Sequence, residues 1–145
     1  MAGKFKPSRG RLNGSGPVAV VDIGSNSVRL VLYERKARTP TMLFNEKLLA
    51  GLGKGIAATG RLADDSVSLA LGELTRFKTL IKHTGCQDIY IVATAAARDA
   101  ENGPDFVREV ERFLEAPVRI LDGNEEAYYS ALGVIAGFWQ PRGIV

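Results

Sequence analysis

The chain has 145 residues, 46% hydrophobic and 24% charged, which suits one soluble globular domain with a real core. No apolar run reaches the roughly 18–20 residues of a membrane span, no secretory leader opens the chain, and one cysteine excludes an internal disulfide; a cytoplasmic location is expected. The net charge of +3 does not describe the folded body: without Lys4, Lys6, Arg9 and Arg11, 15 basic residues face 16 acidic ones, which argues against specific nucleic-acid binding.

Those four cations sit in a Gly/Ser/Pro-rich stretch, and residues 1–17 read as a disordered basic arm ahead of a folded body over 18–145. Val18–Asp22 and Val28–Tyr33 are short β-rich runs, and Ile23–Ser27 between them has hairpin length. Thr41–Leu49 reads as a third strand, after which Gly51, Gly53, Gly55 and Gly60 mark a flexible loop. A helix follows, with Asp64 and Asp65 offered as N-cap. Val67, Ala70, Leu71, Leu74, Phe77 and Ile81 lie on its inner face, and Gly85 is placed to stop it.

Ile89–Ala93 is then a buried strand. Pro104 opens a second helix at its first position, burying Phe106, Val107, Val110, Phe113 and Leu114, and Pro117 ends it. Val118–Leu121 is a fifth strand. Asp122 begins a last helix with Ala127, Ala131, Ile135 and Phe138 on one stripe. Three strands joined by short links must be antiparallel, and strands reached through helices can lie parallel beside them by right-handed crossovers. The expected fold is therefore α/β: a mixed five-stranded sheet with flanking helices, the shape of a ribonuclease-H-like or actin-like lobe.

Three segments could carry chemistry. In Asp22-Ile-Gly-Ser-Asn-Ser27, Gly24 permits a tight turn and Ser25, Asn26 and Ser27 add short donors, an arrangement that suits phosphate oxygens. Asp22 could hold a metal through water. The same composition also describes an ordinary hairpin turn, and composition alone does not separate the two. In Ala93–Asp99, Arg98 could set a planar fork on phosphate, or be a surface Arg beside Asp99. In Asp122-Gly-Asn-Glu-Glu126, an Asp122 cap places Glu125 at the third helical position, where its carboxylate reaches back to the cap amide. Glu126 then points elsewhere and stays free for work, unless both glutamates only complement the helix dipole. His83 is explained by a helix end. No Walker-type loop, dinucleotide fingerprint or metal cluster is present. Since each segment follows a different strand, all three should gather at one end of the sheet, where open α/β sheets bind ligands.

These segments resemble the exopolyphosphatase and guanosine pentaphosphate phosphohydrolase family. Val21-Asp-Ile-Gly-Ser-Asn-Ser-Val-Arg-Leu-Val31 is similar to its first phosphate loop, and Gly51-Leu-Gly-Lys-Gly55 with Thr59-Gly-Arg-Leu62 to its following loop. Ala93–Ala100 is similar to its Arg-bearing segment, and Gly123–Ala127 to the helix start carrying its catalytic glutamate. The resemblance implies an actin-like ATPase superfamily fold, phosphate contacts from Ser25 and Asn26, neutralisation by Arg98, Glu126 as general base, and Mg²⁺ as cofactor. The implied partner is inorganic polyphosphate or guanosine pentaphosphate, or else a phosphate-rich ligand that a non-catalytic sensor binds. The chain departs from the pattern in having Asp122 where the family usually has Ser. It also ends at Arg142-Gly-Ile-Val145, where a second phosphate loop would be due, so an excised and inactive lobe is expected. A sheet face left without its usual cover makes a homodimer an open option.

Overall fold

A computed structural model describes residues 16–138, so most of the proposed arm over 1–17 lies outside the described residues. Three strands come first: β1 (Val18–Ile23), β2 (Val28–Tyr33) and β3 (Met42–Leu48). A short helix α1 (Ile56–Thr59) and the long α2 (Asp64–Thr84) lead to β4 (Asp88–Ala93). Then come α3 (Ala95–Asp99), α4 (Gly103–Leu114), β5 (Val118–Ile120) and α5 (Gly123–Ala136).

The sheet runs β3-β2-β1-β4-β5. β1 pairs antiparallel with β2 and parallel with β4, β2 antiparallel with β3, and β4 parallel with β5, as the connection lengths predict. Alternation along β1 sends Ala19, Val21 and Ile23 to one face with at most 1% exposure. They share it with Val28, Leu30 and Leu32 of β2 and Ile91 and Ala93 of β4. Onto that face α2 sets Ala70, Leu74, Phe77 and Ile81, and α4 sets Phe106, Val107, Val110 and Leu114. Burial of each of the larger side chains among them contributes roughly 1.5–3 kcal/mol before chain entropy is counted.

Helix boundaries show where local signals held. Gly85 caps α2 in the left-handed region at φ 71°, and its N–H reaches back to the Ile81 and Lys82 carbonyls. The proposed Asp64/Asp65 cap is corrected: Ala63 is the N-cap, without a side-chain bond, and both aspartates fall in the first turn, where they complement the helix dipole. Pro104 occupies the second helical position of α4, one later than expected. That helix stops before Pro117, at Glu115, whose φ of 56° is the left-handed conformation usually left to glycine.

Two larger corrections concern the loops and the last helix. The Gly-rich segment over 51–60 is not all loop. It contains α1, and Leu52 within it is fully buried. Left-handed φ values of 65°, 81° and 70° at Gly51, Gly55 and Gly60 let the backbone fold on itself. The stripe on α5 is not a core stripe: Ala131 and Ile135 are half-buried, while Ala127 and Phe138 are exposed. An apolar stripe is buried only where a facing surface exists, and no described element packs closely along this one.

Candidate active site

The parallel register aligns the carboxyl ends of three strands, with Ile23 beside Ala93 and Ala93 beside Ile120. Backbone bonds continue the alignment past the strands: Thr94 N–H donates to the Ile23 carbonyl at 3.1 Å, and Leu121 N–H to the Ala93 carbonyl at 2.8 Å. The turn after β1, helix α3 after β4 and the start of α5 after β5 therefore share one rim. This is the convergence that the segment order predicts.

Gly24 closes the β1–β2 turn by donating its N–H to the Ser27 carbonyl at 2.9 Å. Ser25, Asn26 and Ser27 follow it at the tip, and among the described residues none of their three amides has an acceptor. Their side chains are equally without partners among the described residues, and Asn26 is exposed. Three successive open amides with three short polar side chains form a donor cluster suited to an anion. The carbonyls of the same turn are occupied from behind. Gly53 N–H donates to the Ser25 carbonyl at 2.6 Å and Gly51 N–H to the Asn26 carbonyl at 2.9 Å. A Cβ on Gly53 would lie 3.0 Å from that of Ser25, so glycine there sets how closely the second loop supports the turn.

Asp22, next to last in β1, lies on the face opposite the core and across from Arg29 of β2, which itself lies across from Lys47 of β3. Its carboxyl is solvent-accessible yet hemmed in by the rim. Partial dehydration pushes its pKa up, Arg29 and Lys47 pull it down, and Glu126 pushes it up again. Sequence reasoning assigns no role to Arg29 or Lys47. The signal was available, since a hairpin closed by four residues places Asp22 and Arg29 opposite each other.

Arg98 sits near the end of α3, a short helix absent from the elements expected from sequence. Its Nε donates to Asp99 Oδ1 at 2.9 Å and its Nη2 to Asp99 Oδ2 at 3.4 Å. Its Nη1 donates to the Leu121 carbonyl at 2.7 Å and to Glu126 Oε1 at 3.3 Å. Hydrogen bonding to Asp99 is the largest influence raising the pKa of Arg98, with Glu126 adding to it. Arg98 thus pairs with Asp99, as one sequence alternative has it, and also faces the rim.

Asp122 caps α5 as the spacing predicts. Its Oδ1 accepts from Glu125 N–H at 2.8 Å, while Glu125 Oε2 accepts from Asp122 N–H at 3.1 Å. Arg119 of β5 also grips Glu125 and donates to the Tyr129 hydroxyl at 2.8 Å, tying the helix start to the sheet edge. Glu126 does not stand unengaged as the capping argument implies. It meets Arg98 through Oε1, while its Oε2 has no partner among the described residues. The cap lies within α5, whereas the partner of Glu126 arrives from the segment that follows β4.

The pKa of Glu125 is pulled down, first by its hydrogen bond from Arg119 and then by the one from the Asp122 amide. A depressed carboxyl stabilises the fold above its unfolded pKa, near 4.5, and loses that contribution as pH falls through the folded value. The expected result is that Glu125→Gln lowers the Tm at pH 7, with the difference from wild type shrinking toward zero as acid protonates the native glutamate. Paired thermal melts from pH 7 to 3 test it, and a constant difference would contradict the ionic part of this cap.

The antiparallel three-strand start, the two parallel additions and the rim at the strand carboxyl ends define an actin-like ATPase fold. The chain belongs to the Ppx/GppA phosphatase family, whose sequence model matches residues 31–145. It is similar to exopolyphosphatase 1 of Mycobacterium tuberculosis, at 25% identity over 118 residues, covering 81% of this chain and 34% of that protein. Among solved structures, it superposes on a Ppx/GppA enzyme of Aquifex aeolicus with a TM-score of 0.80 and 31% identity, covering 88% of this chain and 42% of that one. It also superposes on an exopolyphosphatase of Cytophaga hutchinsonii with a TM-score of 0.71 and 26% identity, covering 77% and 36% of the two chains. The chain thus spans about a third of the length of the curated relatives it matches. Among the described residues no helix is long and apolar enough to cross a membrane.

Proposed function

We propose that this chain supplies the phosphate cradle and general base of an exopolyphosphatase, which releases the terminal phosphate of inorganic polyphosphate by in-line attack of water. The observation that carries the reading is the meeting of the open amides over 25–27, the Arg98 guanidinium and the Glu126 carboxylate at one rim. The amides and side chains of Ser25 and Asn26 would hold phosphate oxygens, with Gly24 shaping the turn. Arg98 would offer its terminal edge to the transferred group, exchanging its bond to Glu126 for bonds to phosphate. Glu126 Oε2 would accept the proton of the attacking water as oxygen bonds to phosphorus and the bridging P–O bond breaks. Orthophosphate and a chain one unit shorter are the products. Phosphoryl transfer depends mostly on position and charge, which is what such an arrangement supplies.

Magnesium fits the donor set in a limited way. No cluster of three or more His, Cys, Asp or Glu is present among the described residues. Mg²⁺ needs less than that, since it keeps several waters and binds through one or two carboxylates together with substrate phosphates. Asp22, accessible beside the turn, is the residue that would hold it, and the bound ion would neutralise phosphate oxygens.

The test is phosphate release by the intact protein from polyphosphate and from guanosine pentaphosphate in parallel. Preference for polyphosphate supports the reading, since the donors described at the rim recognise charge. Preference for guanosine pentaphosphate moves the substrate within the same chemistry. Tight binding of either without turnover would replace the enzyme by a sensor.

A further inference from the structure

Arg98 and Asp99 are neighbours in sequence, and neighbours at i,i+1 on a helix do not normally face each other. Here they do, because α3 ends at Asp99 and Ala100 leaves it in an extended conformation with φ −81° and ψ 140°. The carboxylate lies side-on along the Nε–Nη2 edge of the guanidinium, the Leu121 carbonyl holds Nη1, and the terminal edge is left toward Glu126. A guanidinium is a rigid fork whose use depends on which edge it presents. The Arg98 side chain, about a third exposed, is held on two sides, by Asp99 and by the Leu121 carbonyl.

We propose that Asp99 is a positioning residue, fixing the edge of Arg98 that meets the transferred phosphoryl group; this rests on the phosphate-site reading above. Asp99 itself touches no substrate. Its negative charge works against a polyanion, so its contribution lies in orientation rather than in binding. That opposition gives the role a signature. Loss of the carboxylate should lower kcat through a misdirected guanidinium while KM for polyphosphate stays level or falls.

The experiment compares Asp99→Ala, Asp99→Asn, Arg98→Ala and the Asp99→Ala/Arg98→Ala pair in the intact protein, recording kcat and KM for polyphosphate. The expected result for Asp99→Ala is a loss of about 10-fold in kcat with no rise in KM. Asp99→Asn keeps an acceptor for Nε and should retain most of the rate. The double variant should match Arg98→Ala, because orientation has no value once the guanidinium is gone. Activity-free support comes from the Arg98 Nε–H resonance, which should be protected in wild type and broaden into solvent exchange in Asp99→Ala. Wild-type kcat in Asp99→Ala alongside a crippled Arg98→Ala would overturn the positioning role alone. An unchanged Nε–H signal in Asp99→Ala would overturn it as well. Wild-type kcat in Arg98→Ala would sink the phosphate-site reading, and the role of Asp99 with it.

Discussion

Glu126→Gln in the intact protein is expected to cut phosphate release from polyphosphate by about 10²- to 10⁴-fold, the usual contribution of a general base, while polyphosphate binding persists. Glutamine keeps the shape of the side chain and an oxygen that can still accept from Arg98 Nη1, so the rim stays assembled. What is lost is the carboxylate oxygen that would take the proton from water. Glu125→Gln is the matched control one residue away. Its carboxylate is engaged by the cap and by Arg119, so its loss should weaken the start of α5 while leaving most of the turnover rate. Single-turnover phosphate release together with equilibrium binding separates the two effects. If Glu126→Gln turns over at the wild-type rate, proton abstraction lies with another group.

The fold was legible wherever a local pattern was also the global one. Ala19, Val21 and Ile23 alternate on a strand that buries one face, and the α2 positions from Ala70 to Ile81 recur every turn against it. Both patterns are set by the same core, so reading either points to the sheet. The capping box at Asp122 and Glu125 was legible for a similar reason, since it closes within four residues. Contacts whose partner comes from far along the chain were not legible. The support of the Ser25 and Asn26 carbonyls by Gly53 and Gly51 joins segments that composition describes only as a hairpin turn and a flexible loop. The Arg98–Glu126 pair joins the ends of two strands, and nothing in either motif announces it. The stripe of α5 failed for another reason: Tyr128, Tyr129, Leu132 and Val134 lie off it and are apolar too, so spacing alone does not pick out a buried face.

Gly103→Ala is expected to be among the most damaging single-atom additions in the described fold. A Cβ at Gly103 would lie 2.0 Å from the Ala97 carbonyl oxygen and 2.9 Å from its carbonyl carbon, and both atoms are backbone. No side chain can swing aside, so α3 and α4 must separate. Gly103 is itself buried at the start of α4, beside the buried Ala96 and Ala97 of α3. Overpacking of this kind costs about 3 kcal/mol or more, on the order of 10 °C in Tm. Gly72→Ala gives a comparison of opposite sign. That glycine is exposed within α2 with nothing near its missing Cβ, so alanine should stabilise by roughly 0.5–1 kcal/mol through helix propensity. The Gly103 effect should also reach the rim, because α3 is the element that carries Arg98. At a temperature where Gly103→Ala is still mostly folded, its phosphate release should fall by more than the folded fraction accounts for. A wild-type melting curve for Gly103→Ala would mean that α3 does not sit against α4 as described, and the placement of Arg98 at the rim would lose its support.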